Sequence, residues 1–194
     1  MKAWEMTNTI EEDQRLPNQR AGDAEVEVGA LEALGVRVTY LPVGADNAGR
    51  NAANDEALEA YRKAHGYVHM DVLEVSPSTL PNYRQKLREF FEEHIHADEE
   101  VRYVVDGSGY FDVRDARDEW VRMHVTPGDL LVLPAGIYHR FTLDTGDYIR
   151  AIRLFREAPQ WVPIPRPDAE RHAARQRYVH ELRTRNGEPA AVRA

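Results

Sequence analysis

From residue 101 onward the chain alternates apolar and polar positions in short runs: "VRYVV", "GYFDVR", "EWVRMHV", "DLLVLP", "HRFTL" and "YIRAIRLF". Each run is rich in β-branched and aromatic residues, and the pieces between them, "DGSG", "DARD", "TPG", "PAG" and "DTGD", are made of residues that tight turns favour. Six short strands at that spacing predict a sandwich or small barrel. Before residue 90 the period changes. "EVGALEALGVRV" reads as a short helix ended by Gly35, and "NDEALEAYRKAHGY" as a second ended by Gly66. Residues 1–90 are therefore expected to form a helical flank to a barrel core over about 90–165. The intervening 41–54 stretch, rich in Gly, Asn and Ala, has no period and reads as a surface loop. Beyond Pro167, "DAERHAARQRYVHELRTR" has helical composition and a charged face, and 181–194 are expected to form a flexible tail. With 194 residues and 42% hydrophobic positions, one domain over 1–180 with one core is the expectation.

Charge narrows the partners. The chain has 25 basic and 33 acidic residues, net −8, so no overall positive field gathers phosphates or anionic lipid. Neither nucleic acid nor membrane is expected as a partner. The start, "MKAWEMTNTIEEDQR", has no apolar secretory core, and no run approaches bilayer-spanning length; a cytoplasmic protein is the expectation. The absence of cysteine excludes disulfides, thiolate zinc and iron–sulfur sites. Any metal must be held by imidazole, carboxylate and water.

Candidate chemistry begins at 92–113, "EEHIHADEEVRYVVDGSGYFDV", where His94, His96 and Glu100 fall within seven positions. In an extended segment residues two apart share a face, so the two imidazoles point the same way, and Glu100 returns a carboxylate if "ADE" turns into the next strand. A solvated acidic patch accounts for this stretch equally well. Downstream, "GDLLVLPAGIYH" sets Gly128, Pro134, Gly136 and His139 in the pattern G-x5-P-x-G-x2-H.

Together the two stretches resemble the paired motifs of the cupin superfamily, the first without its leading Gly. The resemblance implies a mainly β fold, a double-stranded β-helix barrel with N-terminal and C-terminal helices flanking it, in which His139 joins His94, His96 and Glu100 as the fourth metal ligand. Three imidazoles and a carboxylate suit borderline first-row ions and leave positions for substrate, whereas a closed tetrahedral zinc would use the same four groups structurally. More narrowly, "FFEEHIHADEEVRYVVDGSGYFDVRD", "GDLLVLPAGIYHRFTLD", "RLF", "KAWEM", "DQRLP" and "GYVHMDV" are similar to the acireductone dioxygenases of methionine salvage, over residues 3 to about 180. Two departures are the 41–54 loop, long for that family, and His69, which stands where an aromatic residue is expected.

The resemblance implies one Fe(II) or Ni(II) per chain, with O2 as co-substrate and 1,2-dihydroxy-5-(methylthio)pent-1-en-3-one as substrate. With Fe(II) such enzymes yield formate and 4-methylthio-2-oxobutanoate; with Ni(II), formate, carbon monoxide and 3-(methylthio)propanoate. Arg102 shares a strand face with Glu100, where its guanidinium favours an anionic enediolate or simply pairs with a neighbouring acid. Arg153, in "AIRLF", matches a family arginine near the substrate, though its residue type is also common on a strand's outer face. Phe90 shares strand parity with His94 and His96, and Phe141 with His139, so both are candidates for the wall of a methylthio slot, or for plain barrel core. His65, His124, His172 and His180 read as structural or surface residues; Asp98 and Glu99 could assist proton transfer or steer Arg102. A monomer acting on a small molecule is expected. The rivals are a cupin isomerase or epimerase of sugar derivatives, and a metal-holding binding module without turnover.

Overall fold

The computed structural model describes residues 1–7, 13–22, 25–44, 56–158 and 162–187. Among them the strands are β1 (Lys2–Glu5), β2 (Arg37–Tyr40), β3 (His69–Val75), β4 (His94–Ile95), β5 (Glu100–Gly107), β6 (Gly109–Arg114), β7 (Trp120–Val125), β8 (Asp129–Leu133), β9 (His139–Leu143), β10 (Ile149–Phe155) and β11 (Ile164–Pro165). The helices are α1 (Val28–Ala33), α2 (Glu56–His65), α3 (Tyr83–Phe90) and α4 (Ala173–Arg185). Two sheets form, ordered β1-β7-β6-β9-β4-β11 and β2-β8-β5-β10-β3, and neighbouring strands run antiparallel. This is the mainly β barrel with flanking helices that the motifs imply. No helix among the described residues is long and apolar enough to cross a membrane.

All six strands expected from the alternation are present as β5 to β10. The helical flank over 1–90 needs correction: β1, β2 and β3 come from it and pair with β7, β8 and β10. All three lie at sheet edges, where the apolar run that announces a central strand is not required. Gly35, at φ +84°, ends α1 as expected, and what the pattern leaves unassigned is that "RVTY" after it forms β2. α4 continues to Arg185, past residue 180, and its N-terminus is capped by the His172 ring, which accepts from the Ala174 N–H. Residues 45–54 of the expected loop and 188–194 of the expected tail lie outside the described residues.

Strand β5 shows how the fold serves a site. Val101, Tyr103 and Val105 point outward into a cluster with Leu130, Ile152, Leu154 and Leu58 of α2. Burying each large apolar side chain there contributes about 1.5–3 kcal/mol, so β5 is held from outside. The alternate positions Glu100, Arg102 and Val104 are thereby turned into the barrel.

The outer face of the other sheet carries a different device. Asp112 on β6 stands opposite Arg122 of β7 and Arg140 of β9. Arg122 donates two bonds to its carboxylate, at 2.7 and 2.8 Å, and Arg140 one at 2.8 Å. Arg122 also donates to the carbonyls of Gln14 and Leu16, so the N-terminal segment covers the cluster. Arg140 lies 4.0 Å from the ring centres of both Phe91 and Trp120. Every charge in this buried network has a partner.

Candidate metal centre

The main chain brings the candidate ligands together. His94 on β4 and His139 on β9 are directly paired, and Glu100 opens β5 opposite Leu133 of β8. The Gly136 N–H donates to the His96 carbonyl at 3.1 Å, tying the segment after β4 to the turn before β9. Gly136 has φ +82°, and a Cβ there would strike the Ala174 carbonyl of α4, so this turn requires glycine.

The three rings surround one point, with centroids 4.4 Å (His94–His139), 4.9 Å (His94–His96) and 5.2 Å (His96–His139) apart. Each Nδ1 faces a backbone carbonyl: His94 that of Glu92 at 2.7 Å, His96 that of Val162 at 3.2 Å, and His139 that of Ile137 at 3.0 Å. A carbonyl partner places the proton on Nδ1 and leaves Nε2 with its lone pair, as a metal requires. Glu100 Oε2 lies 3.2 Å from His96 Nε2 and 3.5 Å from His139 Nε2. The latter nitrogen is buried with no hydrogen-bond partner. Such an orphan is costly unless something binds it, and with three imidazoles able to place their nitrogens within 4.8 Å of one another the donor set fits a cation.

Electrostatics agree with that fit. Burial, helped by the nearby His139, pushes His94 down to about 4, so it is neutral near pH 7. Burial also works against a charge on His96, but the Glu100 carboxylate outweighs it and the pKa rises. For Glu100 burial favours the acid form, but its neighbours, the Arg102 guanidinium first among them, more than offset it and hold the carboxyl well below the usual range. The centre thus presents an ionised carboxylate to its neighbours.

A cavity of about 340 Å³ opens onto these groups, and it is lined by all eight residues singled out in the sequence: His94, His96, Glu100, His139, Arg102, Arg153, Phe90 and Phe141. Arg102 lies 3.2 Å from Glu100. Arg153 stands opposite Arg102 on one side and Asp71 on the other, and it grips Asp71 with two bonds of 2.6 Å. Phe90 reaches the wall by another route than expected: it ends helix α3, and the turn that follows, not strand parity, sets its position. Its ring lies 6.3 Å from Phe141.

Sequence reasoning missed Phe111, whose ring is 4.9 Å from Phe141, along with Leu73, Ile149 and Ala151 of the same wall. Alternation in "GYFDV" leaves open whether Tyr110 or Phe111 faces inward, and only the Phe111–Phe141 pairing decides it. His65 packs at a tilt against Tyr61, ring centres 4.2 Å apart, and His124 bonds Asp144, both away from the ligand cluster.

The ARD/ARD' family model matches residues 2–163. "Acireductone dioxygenase 2" of Oryza sativa subsp. indica is 47% identical over 190 residues, covering 98% of this chain and 92% of the rice protein. A Sorghum bicolor protein named "Probable inactive acireductone dioxygenase 2" is 48% identical over 93% of this chain and 96% of its own length. Identity at this level therefore needs an intact site beside it before activity is read from it. Among solved structures, an acireductone dioxygenase from Bacillus anthracis with a cadmium ion in its active centre superposes with a TM-score of 0.62 at 28% identity, over 74% of this chain and 94% of that one.

Proposed function

Because the chain belongs to the ARD/ARD' family, we propose that His94, His96, Glu100 and His139 hold one Fe(II) or Ni(II) ion and that the adjoining cavity takes the acireductone. Its reaction is the metal-dependent oxidative cleavage of acireductone by O2, a step of methionine salvage. The observation that carries the site assignment is the convergence of three imidazoles, each facing a backbone carbonyl through Nδ1, beside a buried ionised carboxylate. A bound ion of this kind supplies Lewis acidity and a meeting point for an oxygen-chelating enediol and O2.

The chain's own residues do the rest. Arg102, fixed by Glu100 and by a bond to the Val101 carbonyl, presents positive charge to the cavity and favours the deprotonated enediol over the neutral one. Arg153, steered by Asp71, adds a second guanidinium from the adjacent strand. Phe90, Phe141 and Phe111, with Leu73, Ile149 and Ala151, form an apolar wall suited to the methylthio tail and to keeping water from the reacting carbons. That the ligands adjoin an apolar cavity favours an open reactive site over a closed structural zinc. All four proposed ligands lie on one chain, so the site needs no residue from a second copy; a monomer in the cytoplasm is the proposed setting.

The test is metal analysis of the purified protein, then anaerobic removal and separate reloading with Fe(II) and Ni(II), following O2 uptake and products on synthetic acireductone. One ion per chain is expected, with formate and 4-methylthio-2-oxobutanoate from the iron form, and formate, carbon monoxide and 3-(methylthio)propanoate from the nickel form. Bound metal without O2 uptake above the nonenzymatic background would reject the assignment.

A further inference from the structure

Glu99 stands next to a proposed ligand yet is turned to the opposite face of the chain, where it accepts three bonds. Tyr67 Oη donates to its Oε1 at 2.8 Å, Arg156 Nε to the same oxygen at 2.7 Å, and Arg37 Nη2 to Oε2 at 3.2 Å. These donors come from three separate parts of the fold: Tyr67 follows α2, Arg37 opens β2 and Arg156 follows β10. They also brace one another, for the Arg156 guanidinium lies 4.8 Å from the Tyr67 ring centre and bonds the His65 carbonyl. Tyr67 is itself buried, at 3% exposure, so its hydroxyl sits in a fixed place.

The turn that Glu99 closes joins His96 to Glu100. Its other two residues, Ala97 and Asp98, are exposed. Glu99 is therefore the side chain through which this turn is fastened to the body of the protein. Its carboxylate, committed to three donors and absent from the wall of the substrate cavity, is not placed to act as a base there.

We propose that Glu99 is a positioning residue: bound by Tyr67, Arg156 and Arg37, it fixes the turn between His96 and Glu100 so that the Glu100 carboxylate meets the three imidazoles. This rests on the four-ligand reading above. By alternation along the strand, the outward hold on Glu99 is also an inward aim for Glu100, and losing the hold frees the ligand to swing without altering any ligand.

The experiment measures the Ni(II) dissociation constant by competition with a chromogenic chelator, together with the melting midpoint of the metal-free protein, for the wild type, Glu99→Ala, Glu99→Gln and Tyr67→Phe. Groups that orient metal ligands are worth about 10–100-fold in affinity, and because Glu99 acts through the main chain the lower figure, about tenfold, is expected for Glu99→Ala. Glu99→Gln keeps an acceptor and recovers most of that loss. Tyr67→Phe removes one bond with every charge kept, shows a smaller weakening of the same sign, and decides the matter if Glu99→Ala does not fold. Wild-type affinity in Tyr67→Phe and Glu99→Ala, or a weakening that appears only alongside a matching drop in metal-free melting, overturns the proposal. A wild type that binds no Ni(II) would strike instead at the four-ligand reading.

Discussion

Strand β9 carries buried charge chemistry on both faces, and the two faces are built oppositely. Inward, His139 offers an Nε2 that nothing in the protein satisfies, at the edge of a cavity. Outward, its neighbour Arg140 is one of two guanidiniums closed around Asp112, sealed by Phe91, Trp120 and the N-terminal segment. Burial of ionisable groups alone does not mark a reactive place. An unsatisfied donor atom facing open volume does, because only there does something from outside lower the free energy.

The largest effect should come from the inward face. His139→Ala is expected to abolish stoichiometric metal binding and reduce O2 uptake to background, while the metal-free protein loses about the 1 kcal/mol of one hydrogen bond. Metal analysis with a melting curve checks both parts. The same operation outward should reverse the pattern. Asp112→Ala strands two buried guanidiniums and is expected to cost about 3–5 kcal/mol of stability, measured by denaturant unfolding; a loss below 1 kcal/mol would show that water reaches this cluster.

Arg102→Met sharpens the inner side. On the role proposed for its guanidinium, it should keep one ion per chain and lose about 10²–10³ in kcat/KM; full retained turnover would reduce it to a partner of Glu100. Phe141→Ala should weaken the preference for the methylthio substrate over shorter tails by the roughly 1–3 kcal/mol that pocket methylenes provide. An unchanged ratio would leave this ring as core.

The smallest effect is a drift with pH. Metal binds only the unprotonated imidazoles, so a ligand whose pKa is raised loses it first as pH falls. His96, lifted above 6.5 by Glu100 against the pull of burial, should begin to erode Ni(II) affinity at a pH above 6.5, whereas His94 holds out to about 4. Titration of affinity between about pH 8 and pH 5.5 tests this; a flat response down to pH 6 would place His96 elsewhere in the proton inventory.

The central barrel was legible because β5 to β10 carry alternating or fully apolar runs between Gly- and Pro-bearing turns. β1, β2 and β3 escaped because an edge strand such as "RVTY" needs no continuous apolar face, and β4 and β11, two residues each, are too short to show any period. Ligand spacing and the alternation of β5 were enough to bring Glu100 and Arg102 to one place. What could not be read depends on register. Asp112, Arg122 and Arg140 become partners only once three strands are aligned, and Phe111 becomes a cavity wall only opposite Phe141. Tyr67, Arg37 and Arg156 meet at Glu99 from positions far apart in the chain, a convergence no local pattern encodes.

The three imidazoles take their orientation from the carbonyls of Glu92, Ile137 and Val162, and a carbonyl belongs to every amino acid. No single substitution at those three positions can delete the acceptor itself. Ring orientation at this centre is thus sheltered from mutation as long as the chain keeps its path. Drift at those positions leaves the acceptor in place, and the hazards for the rings lie in the packing of buried Ile137, in Gly136 and in the other turns that set the path.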